Sequence, residues 1–263
     1  MNNYKEKGGA LIIFKLILLS ALAGTISGFT GIGGGVLFTP LFKMLCDSGD
    51  FNCLAADTVY LSMIVVLCSN TPGLLFSSKI NFVPFNKIRK FLPSLVVGLF
   101  FSQLVIFKIS PLFHDIFLAF LVGYINLLAR FETLNFCFFI RNPILLGAGI
   151  GFLSGLGGIG GSLFFIPIWH QYKLSYRQIN AANTTVVLLS SLVVTIFAFG
   201  RSWQPPIDVY ALMLVIFCAT IVNFTISRHL KSISEDHAKM MHYVFFNGLF
   251  FFYLIRVLFH VLS

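Results

Sequence analysis

Residues 24–40 read GTISGFTGIGGGVLFTP and residues 151–167 read GFLSGLGGIGGSLFFIP. A shift of 127 positions (151 minus 24) lays Gly24 on Gly151, Ser27 on Ser154 and Gly28 on Gly155. The same shift superimposes Gly31 on Gly158, Gly33 on Gly160, Gly34 on Gly161 and Pro40 on Pro167. It is close to half the chain, so the sequence is an internal duplication. Each copy is an apolar segment broken by a glycine cluster that a continuous helix does not tolerate, at about 1 kcal/mol per glycine against alanine. Such breaks at corresponding places in two halves are the sequence signature of a membrane transporter's binding site.

The duplication lies in a chain that is 57% hydrophobic and only 10% charged, where soluble domains carry about 25% charged residues. An all-α polytopic membrane protein is therefore expected, with the lipid bilayer as its solvent. The net charge of +9 comes from basic residues between apolar runs, which orients a membrane protein and does not indicate nucleic acid. The polar start, Asn2 to Gly9, precedes an apolar run without a small-residue cleavage site, and reads as the first membrane segment. The five cysteines show no CxxC spacing and no metal is expected. Cys46 and Cys53 flank one short loop, and the reading favours leaving them unpaired.

In order, Leu11 to Phe29 is apolar around Lys15, the glycines follow, and Val36 to Leu45 is a shorter arm. Leu54 to Phe76 is a span carrying Asp57, and Lys79, Lys87, Arg89 and Lys90 form the strongest basic cluster. Phe91 to Phe107 and Leu112 to Leu128 are two further spans, and residues 130–143 link the halves. The second half repeats the plan with arms Ile144 to Leu156 and Leu163 to Tyr172, then spans at 178–199, 207–226 and 240–262. The first repeat is thus 1–135 and the second 136–263.

An arm of 10 to 13 residues reaches only about 15–20 Å at 1.5 Å per residue, short of the ~30 Å hydrocarbon core. A re-entrant hairpin suits these arms better than one crossing, since irregular backbone at that depth must line a cavity or lie within protein. Setting aside Lys15, Lys43 and Arg256 inside apolar runs, hairpins distribute the basic residues 11 inside to 4 outside, against 9 to 6 for single crossings. The positive-inside bias leans to hairpins. Each half then has an odd number of spans, three, so the repeat is inverted.

The pattern GxxSGxxGIGGGxxxxP, repeated as GxxSGxxGIGGSxxxxP, resembles the TauE/SafE family of membrane permeases. The likeness runs over the whole chain, including the Lys79-Ile80-Asn81 stretch. It implies export of a small anion, sulfite or an organosulfonate, across a bacterial inner membrane. Where the family shows a small residue followed by Thr-Ser, this chain has Asp57-Thr58-Val59 and Asn183-Thr184-Thr185.

An arm starting at a glycine tip points free N–H groups and the positive end of its dipole into the bilayer interior. Two arms aimed at each other suit a small anion without a buried cation. The expected substrate-binding residues are Gly31, Gly33, Gly34 and Gly35 with Gly158, Gly160, Gly161 and Ser162, joined by Thr58, Asn183 and Thr184. Thr58 and Thr184 either reach the anion or bond to their own helix. Asp57 is the candidate for coupling to a proton or sodium ion, with capping of its own helix as the structural alternative. Gly24, Gly28, Gly147, Gly151 and Gly155 read as packing positions, and Asn70, Asn126, Asn223 and Asn247 as interhelical hydrogen-bond partners. No cofactor is expected. A channel, a membrane assembly factor and an intramembrane enzyme are the alternatives. For an enzyme, Ser154 lacks an accompanying His or Asp, and its twin Ser27 argues for a packing role.

Overall fold

The computed structural model describes residues 2–31, 33–47, 53–76, 78–130 and 142–229, with isolated positions between 244 and 255. The 130–143 linker and the 240–262 span lie largely outside the described residues, as do the side chains of Asn126, His170, His242 and Arg256. The described residues form α-helices and short 3-10 turns: α1 Asn2–Thr30, α2 Gly35–Asp47, α3 Ala55–Leu75, α4 Phe85–Ile88 and α5 Leu92–Val105. Then follow α6 Pro111–Arg130, α7 Pro143–Gly157, α8 Ser162–Gln171, α9 Tyr176–Gly200 and α10 Val209–His229.

Local chemistry sets the boundaries. Pro143 occupies the first turn of α7, where its missing N–H costs nothing. Asn142 caps that helix by accepting from the N–H groups of Ile144 and Leu145, at 3.0 and 3.4 Å. Ser175 and Gln178 form a reciprocal capping box at the start of α9. α1 ends at Thr30 and α2 restarts at Gly35; α7 ends at Gly157 and α8 restarts at Ser162.

α3, α9 and α10 are long and apolar enough to cross a membrane. The outward faces carry Val97, Phe100, Phe101, Ile196, Phe199, Met213 and Phe217. Ser27, Asn70, Gln103 and Asn223 are buried. An apolar exterior of that extent is solvated by lipid rather than water, and the chain is a helical integral membrane protein.

Packing follows the duplication. α1 lies along α10, and its equivalent α7 lies along α5. Both contacts are parallel and very close. A Cβ on Gly24 would come within 2.7 Å of the Ala219 carbonyl, and one on Gly28 within 2.9 Å of the Ile226 side chain. In the second pair Gly147 faces Phe91 and Ser94, Gly151 faces Leu95, and Gly155 faces Ser102. Small residues at these positions let the helix backbones meet. The predicted amide partners appear as well: Ser27 donates to Asn70 at 2.9 Å, and Asn223 bonds to Asn70, Ser27 and Ser227.

α3 and α9 pack antiparallel at the centre. Trp203, just past α9, reaches Asp57 and Tyr60 near the start of α3. Arg177, at the start of α9, lies 5.9 Å over the Phe82 ring beyond the end of α3. One end of the bundle thus holds the start of α3 and the 201–206 turn. The other holds residues 82–94 and the α8–α9 turn. Both ends of the second broken segment lie at this latter end: Pro143 accepts from Ser94, while Trp169 and Tyr172 meet Phe91 and Lys87.

Cys46 and Cys53 are not the unpaired thiols expected from their sequence surroundings. They form a disulfide, with their Cα atoms 5.6 Å apart, inside the range a disulfide spans without backbone movement. α2 and α3 pack against each other, so the short loop between them brings its two ends together. Cys68 and Cys218 are free thiols.

Candidate functional site

The two glycine breaks meet. Gly33 and Gly160 have φ of +71° and +72°, in the left-handed region that residues with a Cβ rarely adopt, and Gly31, Gly158 and Gly161 are also left-handed. A Cβ on Gly35 would sit 2.5 Å from the Gly158 carbonyl oxygen and 3.3 Å from Ile159 Cα. The Ser62 hydroxyl lies between the tips, 3.3 Å from the Gly35 carbonyl and 3.1 Å from that of Gly158. Thr39 donates to the same Gly158 carbonyl at 3.3 Å. Val187, midway along α9, packs against both Gly33 and Gly160. The tips are closed on each other.

Around this contact the other expected residues separate. Gly31 abuts Asn180, Gly34 abuts the Phe38 ring, and Gly161 abuts Ser154. Ser162 is fully buried at the start of α8. Thr58 and Thr184 donate to carbonyls of their own helices, Ala55 and Asn180, each at 2.8 Å. Ser154 likewise donates to Gly151 at 3.1 Å. Asn183 is buried and accepts the Trp169 indole N–H at 2.9 Å, leaving its amide nitrogen without a partner. Asp57 lies at the α3 start, away from the tip contact. One carboxylate oxygen accepts from the Leu54 N–H at 2.7 Å and the other from the Trp203 indole at 2.6 Å. The duplicated Asp57/Asn183 position therefore receives the N–H groups of the chain's two tryptophans.

The sequence reading missed several residues at the tips. Ser62 and Val187 have no twins that would single them out. In the sequence Lys43 lies within an apolar arm, and His114 and Asp115 lie within the Leu112–Leu128 span. In the structure Lys43 and Asp115 are buried and form an ion pair at 2.6 Å, joining α2 to α6. Beside it the His114 Nε2–H meets the Leu156 carbonyl at 2.9 Å, near the C-terminus of α7. Gln103 donates to the Gly155 carbonyl at 3.2 Å. The available signal was the presence of ionisable residues inside apolar runs, where they are costly. Their pairing had no local mark.

A family model described as Sulfite exporter TauE/SafE matches residues 16–251. A relative from Methanocaldococcus jannaschii, described as "Probable membrane transporter protein MJ0441", is 28% identical over 188 residues. That match covers 69% of this chain and 70% of the relative. No solved structure matches. With the duplicated glycine motif inside the matched region, the chain belongs to the TauE/SafE sulfite exporter family.

Proposed function

We propose that this protein is a secondary transporter that carries a small oxyanion, sulfite or a short organosulfonate, between its two glycine tips. The observation that carries the reading is the meeting of the tips through Ser62, 3.3 Å from Gly35 and 3.1 Å from Gly158. α2 and α8 both start there, so the positive ends of two helix dipoles converge on one place inside the bundle. The substrate class follows the family description and the relative's transporter name. Nothing in the Ser154 surroundings argues for an enzyme, since its hydroxyl is donated to Gly151.

In this reading the broken segments are re-entrant hairpins from opposite membrane faces, and the two repeats are inverted. The second segment's ends both lie beside residues 82–94, which supports a hairpin. For the first, α1 runs parallel to α10, which starts after the 201–206 turn, and α2 leads through the disulfide loop to the start of α3. That supports a hairpin from the opposite end. The closed tips correspond to an occluded state, and passage requires them to part.

Purified protein reconstituted in liposomes and loaded with sulfite should show saturable counterflow of radiolabelled sulfite or methanesulfonate. Flux that neither saturates nor shows counterflow would identify a channel. Transport of amino acids or cations with no anion moved would sink the proposed substrate class.

A further inference from the structure

We infer that Asp115 and Lys43 form a proton-operated anion site, so that anion movement is coupled to protonation of the Asp115 carboxylate. The inference rests on the transport reading above and deepens it by naming the coupling groups. Lys43 is 3% exposed and Asp115 is fully buried, and ionic groups at such positions are costly and mark ion or proton pathways in membrane proteins. The pair spans two elements, and both touch the tips. Thr39, one turn before Lys43, donates to Gly158. Leu118, one turn after Asp115, packs with Val36 of the first arm and Ile159 and Leu163 of the second. His114 holds the same helix to the Leu156 carbonyl. The first turns of α6 thus clamp both hairpins, and the Lys43–Asp115 pair is the electrostatic part of that clamp.

Protonation changes the site in two ways. When Asp115 takes a proton from water it becomes a neutral carboxylic acid, and the ion pair with Lys43 is lost. Lys43 keeps its ammonium charge, which a monoanionic sulfonate or bisulfite then neutralises. α2 is simultaneously released from α6, which allows the tips to part. When the anion leaves, Asp115 returns its proton and the pair re-forms. One proton therefore moves with one monoanion, and no net charge crosses.

Lys43 on α2 pairs with Asp115, and His114, its neighbour in sequence on α6, bonds to the Leu156 carbonyl. α7 carries no ionisable side chain. Those remaining on α8 and α2 are His170, Asp47 and the disulfide-bonded Cys46, toward the far ends of those arms. α3, which packs on α2, carries Asp57, Tyr60 and Cys68. His114 is therefore the second group that a test must separate.

The test uses full-length protein in liposomes and radiolabelled methanesulfonate, which does not titrate near neutrality. With a one-unit pH gradient and the membrane potential clamped, wild type should accumulate the probe about tenfold, the ratio of proton activities. Asp115→Asn should still exchange methanesulfonate but reach no accumulation, while His114→Gln should keep it. Accumulation by Asp115→Asn equal to wild type would overturn the inference. If Asp115→Asn does not fold, the double variant Lys43→Met/Asp115→Leu replaces the pair with apolar side chains, an exchange that buried ion pairs often tolerate. That variant should be monodisperse and carry no probe; pH-driven accumulation by it would equally refute the site. Absence of both exchange and accumulation in wild type would remove sulfonate transport itself, and this inference with it.

Discussion

Trp203 and Asp57 lie 146 positions apart, and the indole N–H of one donates to the carboxylate of the other at 2.6 Å. The bond places the turn after α9 beside the start of α3, which the Cys46–Cys53 loop precedes. Disulfides persist in oxidising compartments, which supports the proposed topology, in which this end of the bundle faces outside. The basic cluster Lys79, Lys87, Arg89 and Lys90 lies toward the opposite end, in agreement with the positive-inside bias.

That relationship makes topology testable. Ser202→Cys and Ser175→Cys, each in a background otherwise free of cysteine, should differ sharply toward an impermeant maleimide added outside intact cells. Position 202 should label and position 175 should not. The reverse pattern would eliminate the hairpin arrangement.

The tips should be intolerant of side chains for a reason different from that of the packing glycines. At Gly33 and Gly160 the left-handed backbone and the Val187 contact add roughly 1–3 kcal/mol of local strain on substitution. Gly33→Val and Gly160→Val should insert and fold yet lose flux. Gly28→Val and Gly155→Val collide with Ile226 and Ser102 and should lower the yield of folded protein as much as flux. Flux per monodisperse molecule separates the cases, and near-normal specific flux in both tip variants would refute the site.

Val187 fills the space between the tips. Val187→Ala removes two methyl groups, about 1–2 kcal/mol of burial at ~0.8 kcal/mol per carbon, and leaves the backbone free to part. Its counterflow rate should rise several-fold, with a small loss of thermal stability in detergent. A rate equal to or below wild type would show that Val187 does not limit passage.

Asp57 should behave as a structural acceptor. Asp57→Asn retains one oxygen for two N–H donors, so one of the bonds to Leu54 or Trp203 is lost, at about 1–2 kcal/mol. A lowered Tm with pH-driven accumulation intact is the expected result, opposite in pattern to Asp115→Asn. Loss of accumulation with an unchanged Tm would give the coupling role back to Asp57.

The disulfide should be present in protein purified without reductant, as a crosslinked Cys46–Cys53 peptide in mass spectrometry. Closing so short a loop is worth roughly 2–3 kcal/mol by chain entropy. Cys46→Ser should therefore lower Tm, and added reductant should have no further effect on that variant. An unlinked pair in freshly purified protein would undo the assignment of this loop to the outside.

The helical membrane class, the duplication and the helix ends beside the glycine clusters were legible in the sequence, where the apolar runs stop at Phe29 and Leu156 and the helices at Thr30 and Gly157, because these depend on local terms: apolar run length and glycine's backbone freedom. The sequence also marked Gly24, Gly28, Gly147, Gly151 and Gly155 as close-packing positions, and Asn70 and Asn223 as partners, since small or amide side chains in apolar helices have few other uses. Which groups meet is a matter of helix packing. Lys43 pairs with Asp115 across 72 positions (115 minus 43), Ser62 reaches Gly158 across 96, and Trp203 reaches Asp57 across 146. Each contact depends on how far one helix is rotated and shifted against another, and that is set by packing over whole helix faces rather than by any residue's neighbours in sequence. The same dependence decided the threonines: Thr58 and Thr184 turn their hydroxyls to their own helices, while Ser62, chosen by no repeat, bridges the tips.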